Sequence, residues 1–290
     1  INYLSNLSMN QFDKTSIIKD LESRIKKQEK QLIIRSRKRK LVGITAFTML
    51  FLGIVYFVNK DKIDIESKNI VLTTSSGDKI VLDNNTTESD KLEGLVSINT
   101  NTLVYKKDIN SKSLVKNTIN VPYGKRFKLN LSDGTVVHLN SGSSITFPVS
   151  FIKGFDREVL ISGEAFFDVA KDPIDAFNVL STGTSIEVYG TRFNLKNYEE
   201  DNFSEVILTE GSLGVKNSLN DSGVTVISPG DMAKLDYSIG EIELSKVNTV
   251  LYTSWIEGRI IFRNENINNL ITKLERIYDV IIINSNKKLN

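Results

Sequence analysis

The spacing of apolar residues changes character three times along the chain and divides it into four unlike stretches. Over 1–40 the apolar positions are sparse: Ile18, Leu21, Ile25 and Leu32 fall at heptad-like spacing, with Gln28 breaking the series. Asp13, Thr15 and Ser16 offer capping side chains ahead of Ile17, and the pairs Asp20/Arg24 and Glu22/Lys26 stand four residues apart. This predicts a charged helical arm with one narrow apolar stripe, a seam too thin to form a core by itself. Residues 41–58 then run without a charge on any face. Eighteen helical residues span roughly 27 Å, close to the ~30 Å hydrocarbon core of a bilayer.

From Asn69 the period becomes two. Short alternating runs recur at 80–82, 127–131, 136–139, 158–161, 166–169, 186–188, 193–195, 206–208 and 224–227. Turn-forming residues separate them, among them Ser132-Asp-Gly134, Asn140-Ser-Gly142, Ser162-Gly163 and Ser228-Pro-Gly230. Gly163-Glu-Ala165 reads as a turn or a bulge within a strand. The pattern predicts an antiparallel β-sandwich or a solenoid-like twisted stack. A faint echo aligns residues 77–83 with 134–140, as two stacked hairpins would. After Asn248 the period changes again. A strand is expected over 255–262, then a helix capped by Asn264 or Asn266 and carrying Ile267, Leu270, Ile271, Leu274 and Ile277, then a strand over 280–283.

The organisation expected is therefore mainly β: 1–40 a cytoplasmic helical arm, 41–58 a transmembrane helix, 59–117 a linker with the first hairpins, 118–247 a β-domain, and 248–290 the start of an α/β domain. The chain begins at Ile1 and stops within an apolar-patterned stretch, which reads as a piece of a longer protein.

Charge sharpens this picture. Residues 1–40 carry eleven Lys/Arg against four acids, a net of +7, so the rest carries −5 within the chain total of +2. Five cations crowd 35–40, directly before the apolar run, and no cationic excess follows it. Cations flanking a span mark its cytoplasmic side, so the arm is expected inside and the β-body exported to the periplasm, with a single pass of the inner membrane. Forty mostly polar residues precede the run and no small-residue cleavage site follows, which argues against a signal peptide. The basic cluster is better explained by orientation and lipid headgroups than by direct nucleic-acid contact.

Chemistry-bearing residues are few. The chain has no Cys and one His, His138, which excludes thiolate chemistry, disulfides and paired-histidine sites. Asn140-Ser-Gly-Ser-Ser144 lacks nucleophile-elbow spacing, and 211–214 lacks the strand–loop–helix setting of a phosphate cradle. Glu164, Asp168 and Asp172 lie near one another, but Lys171 breaks their acidic character. His138, at a strand centre, reads as a packed core residue. No enzyme, metal or cofactor is expected; the body looks built to bind and transmit. A membrane-tethered carbohydrate-binding or structural β-domain is the alternative.

Val121-Pro-Tyr-Gly124, Leu129-Asn-Leu-Ser-Asp133-Gly-Thr135, Leu139-Asn-Ser-Gly-Ser-Ser144 and Phe147-Pro148 together resemble the opening of a FecR domain. Arg157 to Val169, Phe177-Asn-Val179, Tyr189-Gly-Thr191-Arg-Phe193-Asn194, Glu210-Gly211 and Pro229-Gly230 continue it in order. Trp255, Gly258, Phe262, Glu275-Arg276 and Tyr278 resemble the start of the C-terminal signalling domain that follows FecR domains of the Bacteroidota type. His138 departs from the aromatic usual at its position. The resemblance implies a transmembrane anti-sigma factor. Its inside arm, with Ile18, Leu21 and Ile25, would hold an extracytoplasmic-function sigma factor. Its periplasmic part, with Trp255, Phe262 and Leu270, would meet the signalling domain of a TonB-dependent outer-membrane transporter. Release of the sigma factor, by alteration or by site-specific proteases, would then regulate transcription of uptake genes.

Overall fold

The computed structural model describes residues 26, 68–82, 95–99, 102–105, 114–220, 223–263 and 265–285. The chain divides into two compact units, 1–64 and 65–290, and every described strand belongs to the second. Ile18, Leu21, Ile25 and the apolar run 41–58 lie outside the described residues, among which no helix is long and apolar enough to cross a membrane.

Seventeen strands alternate as the period of two demands. They are β1 (Ile70–Thr73), β2 (Lys79–Leu82), β3 (Leu95–Asn99), β4 (Thr102–Tyr105), β5 (Lys116–Val121), β6 (Phe127–Asn130), β7 (Val136–Leu139), β8 (Ser143–Pro148) and β9 (Arg157–Asp168). After these come β10 (Phe177–Ser181), β11 (Thr184–Val188), β12 (Arg192–Asn197), β13 (Phe203–Glu210), β14 (Leu213–Asn217), β15 (Val224–Ile227), β16 (Asp231–Asp236) and β17 (Glu241–Lys246). The first sheet runs β2-β1-β5-β8-β9-β10-β11-β14-β15. The second runs β3-β4-β6-β7-β9-β12-β13-β16-β17. Among the described strands only β4–β6 and β9–β10 pair in parallel. The body is thus a two-sheet antiparallel stack, and both sheets share β9 at their centre.

That sharing turns on one residue. The runs at 158–161 and 166–169 read from sequence as separate strands, yet β9 is continuous. Its first half pairs with β8 and β10, its second with β7 and β12. Gly163 sits at the crossing with φ +95°, and a Cβ there would lie 2.7 Å from Ser143 Cα. A side chain would be strained by the backbone and blocked by a neighbouring strand, so glycine alone lets the strand pass between layers.

Between the sheets lies one core, including Ile119, Leu129, Phe147, Phe167, Phe177 and Phe193, all fully buried. Phe167 and Phe193 stack with centroids 5.0 Å apart and Phe177 meets Phe167 edge-on. Burying each such ring contributes about 1.5–3 kcal/mol. Ile70, Leu72 and Leu82 belong to the same core, and β1 pairs with β5, so the first hairpin is integral to the body. The hairpin echo is visible in turn chemistry: Gly77 N donates to Thr74 O and Gly134 N to Leu131 O. The two hairpins nevertheless lie in different sheets and do not pair.

The tail departs from expectation. Residues 250–262 hold no strand; a short helix α1 (Val250–Thr253) continues as a 3-10 turn, Ser254–Glu257, closed by Gly258 at φ +77°. Helix α2 (Ile267–Tyr278) forms as expected, with Asn266 Oδ1 accepting from Asn268 N at 2.8 Å. Residues 280–283 form no strand either. A strand is stabilised by its neighbours, and among the described residues neither segment pairs with one.

Candidate functional site

The turns at one end of the body form a seat for this tail. Turn 122–126 joins β5 to β6, turn 140–142 joins β7 to β8, and turn 198–202 joins β12 to β13. Gly142 opens room for the first of these against the second: a Cβ there would lie 2.2 Å from the Tyr123 ring. Tyr198 is buried and donates its hydroxyl to Ser141 O at 2.8 Å, tying the second turn to the third.

Into this seat α2 inserts Arg276, the one buried side chain of the helix. Its guanidinium donates to both carboxylate oxygens of Asp201, at 2.7 and 3.2 Å, and through Nε to Glu200 Oε1 at 3.0 Å. Cζ lies 3.8 Å from the Tyr198 ring centroid, so the planar cation is stacked as well as paired. Tyr123 Oη donates to the same Glu200 oxygen at 3.0 Å, and Gly124 N donates to Arg276 O at 2.9 Å. The C-terminal end of the helix serves the same joint: Asp279 takes the left-handed conformation, φ +53°, and Ile282 N donates to Glu275 Oε1 at 2.8 Å.

A second anchor is Trp255. Its ring is buried, and Nε1 donates to Asn194 Oδ1 at 3.2 Å. Asn194 Nδ2 donates to Glu164 Oε1 at 3.0 Å, Asn140 Nδ2 donates to Glu164 Oε2 at 2.7 Å, and Arg126 Nε donates to Asn140 Oδ1 at 3.3 Å. A continuous chain of hydrogen bonds therefore runs from the tail, past the centre of β9, to the turn after β5. Each buried amide is satisfied, so the chain fixes Trp255 in one orientation.

The charges follow from burial and pairing. Burial alone would raise Asp201, but its bonds to Arg276 and the nearby Lys196 outweigh this and hold its carboxyl below the ordinary value. Burial likewise works against the charged Arg276, and Asp201 and Glu200 more than compensate. Glu205, on β13 beside Lys196 and Lys234, is pushed up, chiefly by burial. Burial raises the Tyr198 hydroxyl strongly, so it remains a neutral donor.

Of the residues singled out by sequence, Trp255 is thus engaged inside the molecule. Phe262 is largely exposed under the Lys273 ammonium, 5.5 Å from the ring centroid, and Leu270 is half-buried on α2. Glu164, Asp168 and Asp172 separate into different tasks: Glu164 anchors two asparagines, Asp168 pairs with Arg192 at 2.9 Å, and Asp172 caps its own loop by accepting from Ile174 N and Asp175 N. Among the described residues no three His, Asp or Glu side chains stand close enough to hold a metal. His138 is not in the core. It lies half-buried on the outer face of the second sheet beside Phe166, and burial with Lys128 nearby lowers its pKa. Asp201 and Glu200 were missed by sequence reading, because two acids in a polar turn look like any solvated loop.

Residues 117–214, from β5 into β14 and including the shared central strand, match the FecR protein family. Two crystal structures of a candidate anti-sigma factor from Parabacteroides distasonis, at 2.50 and 1.65 Å resolution, are similar to this chain at 32% identity. They superpose with TM-scores of 0.53 and 0.52, covering 57% and 56% of this chain and 75% and 74% of theirs. No curated protein matches the chain. The chain belongs to the FecR family of anti-sigma factors.

Proposed function

We propose that the protein is a single-pass inner-membrane anti-sigma factor. The arm 1–40 binds an extracytoplasmic-function sigma factor through Ile18, Leu21 and Ile25. The run 41–58 crosses the membrane, and the β-body with its seated tail receives a periplasmic signal from the signalling domain of a TonB-dependent transporter. The observation that carries the reading is the 32% identity to an anti-sigma structure over 57% of the chain. The cation-flanked apolar run supports the topology. The tail supports the signalling role: α2 buries one side chain, the guanidinium of Arg276, while the residues of its apolar stripe are each only half-buried.

A two-hybrid assay tests the sigma-factor contact. Ile18→Asp with Leu21→Asp should abolish capture of an extracytoplasmic-function sigma factor that the unaltered chain binds, and undiminished capture would remove the assignment. Alkaline phosphatase fused after Asn290 should be active and after Lys40 inactive; the reverse pattern would overturn the topology.

A further inference from the structure

Turn 122–126 serves two ends of the chain at once. Gly124 N meets the seated helix at Arg276 O, Tyr123 Oη meets it through Glu200, and Arg126 enters the chain of amides that ends at Trp255. Lys125, in their midst, has a different partner: its Nζ donates to Asn69 Oδ1 at 3.0 Å in a part-buried bond.

Asn69 stands where the sequence enters the β-body. Exposed Lys68 precedes it, buried Ile70 follows as the first residue of β1, and ten residues, 59–68, separate it from the apolar run 41–58. β1 pairs with β5 in the register Val71–Asn120, Leu72–Ile119 and Thr73–Thr118. Two residues further on, the same register sets Asn69 against Pro122, which has no N–H to continue the ladder. The Lys125 side chain thus fastens the entry at the point where pairing with β5 ends.

The tail supports the shape of this turn. Gly124 takes φ +75°, and a Cβ there would lie 3.2 Å from Asp279 Cβ, so the end of α2 rests directly on the turn. Gly124 N donates to Arg276 O at 2.9 Å. Without the helix the turn loses that bond and the contact with Asp279. It keeps the longer bonds at Pro122 O, from Lys125 N at 3.4 Å and Gly142 N at 3.3 Å, and the bond from Ser141 Oγ to Lys125 O at 2.8 Å.

We infer that turn 122–126 is a coupling joint: a seated α2 holds Lys125 where it fastens Asn69, and unseating α2 loosens the entry of the chain into the β-body. Such coupling is reciprocal, so the entry stabilises the seat by the factor with which the seat stabilises the entry. The joint lies within the β-body and its tail and stands whether or not 41–58 crosses a membrane. That a signal received at α2 is thereby passed toward the membrane rests on the proposed function.

The test is amide exchange on the full chain in detergent micelles. Lys125→Met keeps the apolar stem and removes the ammonium, which is bonded to Asn69 and not to the helix. Exchange across α2 should nevertheless quicken by about fivefold or more. Asn69→Ala removes the same bond from its other partner and should act likewise. In Arg276→Met, exchange at 69–71 should quicken by about fivefold or more. Adding Arg276→Met to Lys125→Met should quicken 69–71 no further, because the bond through which the seat acts is already gone. Lys116→Met, which breaks a pair with Glu158 at the other end of β5, should leave both regions unchanged. Full protection in β9 and β12 confirms that each variant is folded. Unaltered exchange of α2 in Lys125→Met and Asn69→Ala, unaltered exchange of 69–71 in Arg276→Met, or additive effects in the double variant would overturn the joint. A reversed alkaline phosphatase pattern with the coupling intact would overturn the topology alone.

Discussion

Replacing Arg276 with Met should unseat the C-terminal helix and leave the β-body folded. Met keeps most of the side chain's apolar length and removes the guanidinium. Asp201, only 14% exposed, then loses its bidentate partner, Glu200 loses a second bond, and the Tyr198 face loses its cation. Truncating one member of a buried pair costs about 3–5 kcal/mol. The low end applies, because Glu200 is half-exposed and Lys196 remains 3.2 Å from Asp201. A loss of ~3 kcal/mol corresponds to about 150-fold faster local opening. Hydrogen exchange at α2 should accelerate by that order in Arg276→Met, while amides of β9 and β12 hold their protection. Trp255, the only tryptophan, gives an independent readout. A double-mutant cycle with Asp201→Asn should return a coupling of ~1–3 kcal/mol. Unchanged exchange at α2 in Arg276→Met, together with faster exchange in Leu274→Ser, would show that the apolar stripe holds the helix and would refute the ionic seat.

Acid should open the same seat. Asp201 titrates below its unfolded value, so its contribution is complete above about pH 4 and is lost as pH falls through the folded pKa; Glu205, shifted upward, has the opposite sign, so a Glu205→Gln background should show a sharper acid transition in Trp255 fluorescence. Gly163→Ala should cost roughly 2–3 kcal/mol through positive φ and the approach of Ser143, lowering the melting temperature by roughly 5–10 °C in calorimetry; no shift would mean that β9 does not need its crossing residue. Asp133→Ala should destabilise the whole body by about 3 kcal/mol in denaturant titration, because buried Arg157 donates to it at 2.8 Å and would keep only carbonyl acceptors.

Much of the body was legible in the sequence because the period of two survives wherever one face of a strand is buried. Phe127-Lys-Leu-Asn130 and Val136-Val-His-Leu139 alternate cleanly and form β6 and β7. The alternation placed His138 as well, since its neighbours Val137 and Leu139 take the inner positions; reading a lone histidine as core ignored its own register. β17, Glu-Ile-Glu-Leu-Ser-Lys, also alternates, with Ile242 packed against the core, but its two apolar positions make too short a run to stand out from the charged residues around them. The long β9 was split because Ser162-Gly163 is also turn chemistry. Positive φ at glycine is compatible with a turn and with a strand changing layers, and only the pairing partners on either side decide between them.

The seat was legible in its anchors and hidden in its logic. A helix with Ile267, Leu270, Ile271, Leu274 and Ile277 on one stripe is expected to bury that stripe, and periodicity is blind to a competing ion pair. Here the buried side chain is Arg276, held by two acids from a turn some seventy-five residues earlier in the chain. Such a pairing leaves no local signature, since neither partner is placed by its own neighbours. The physical consequence separates the two kinds of docking. An apolar seat would hold the stripe away from any partner until it opened. An ionic seat holds the helix by a polar contact while the stripe residues are each only partly covered, so a partner can engage their uncovered part first and draw the guanidinium out afterwards. Weakening the seat with Arg276→Met should therefore strengthen binding of a stripe-directed partner and not abolish it, whereas Leu274→Ser should weaken that binding with the seat intact.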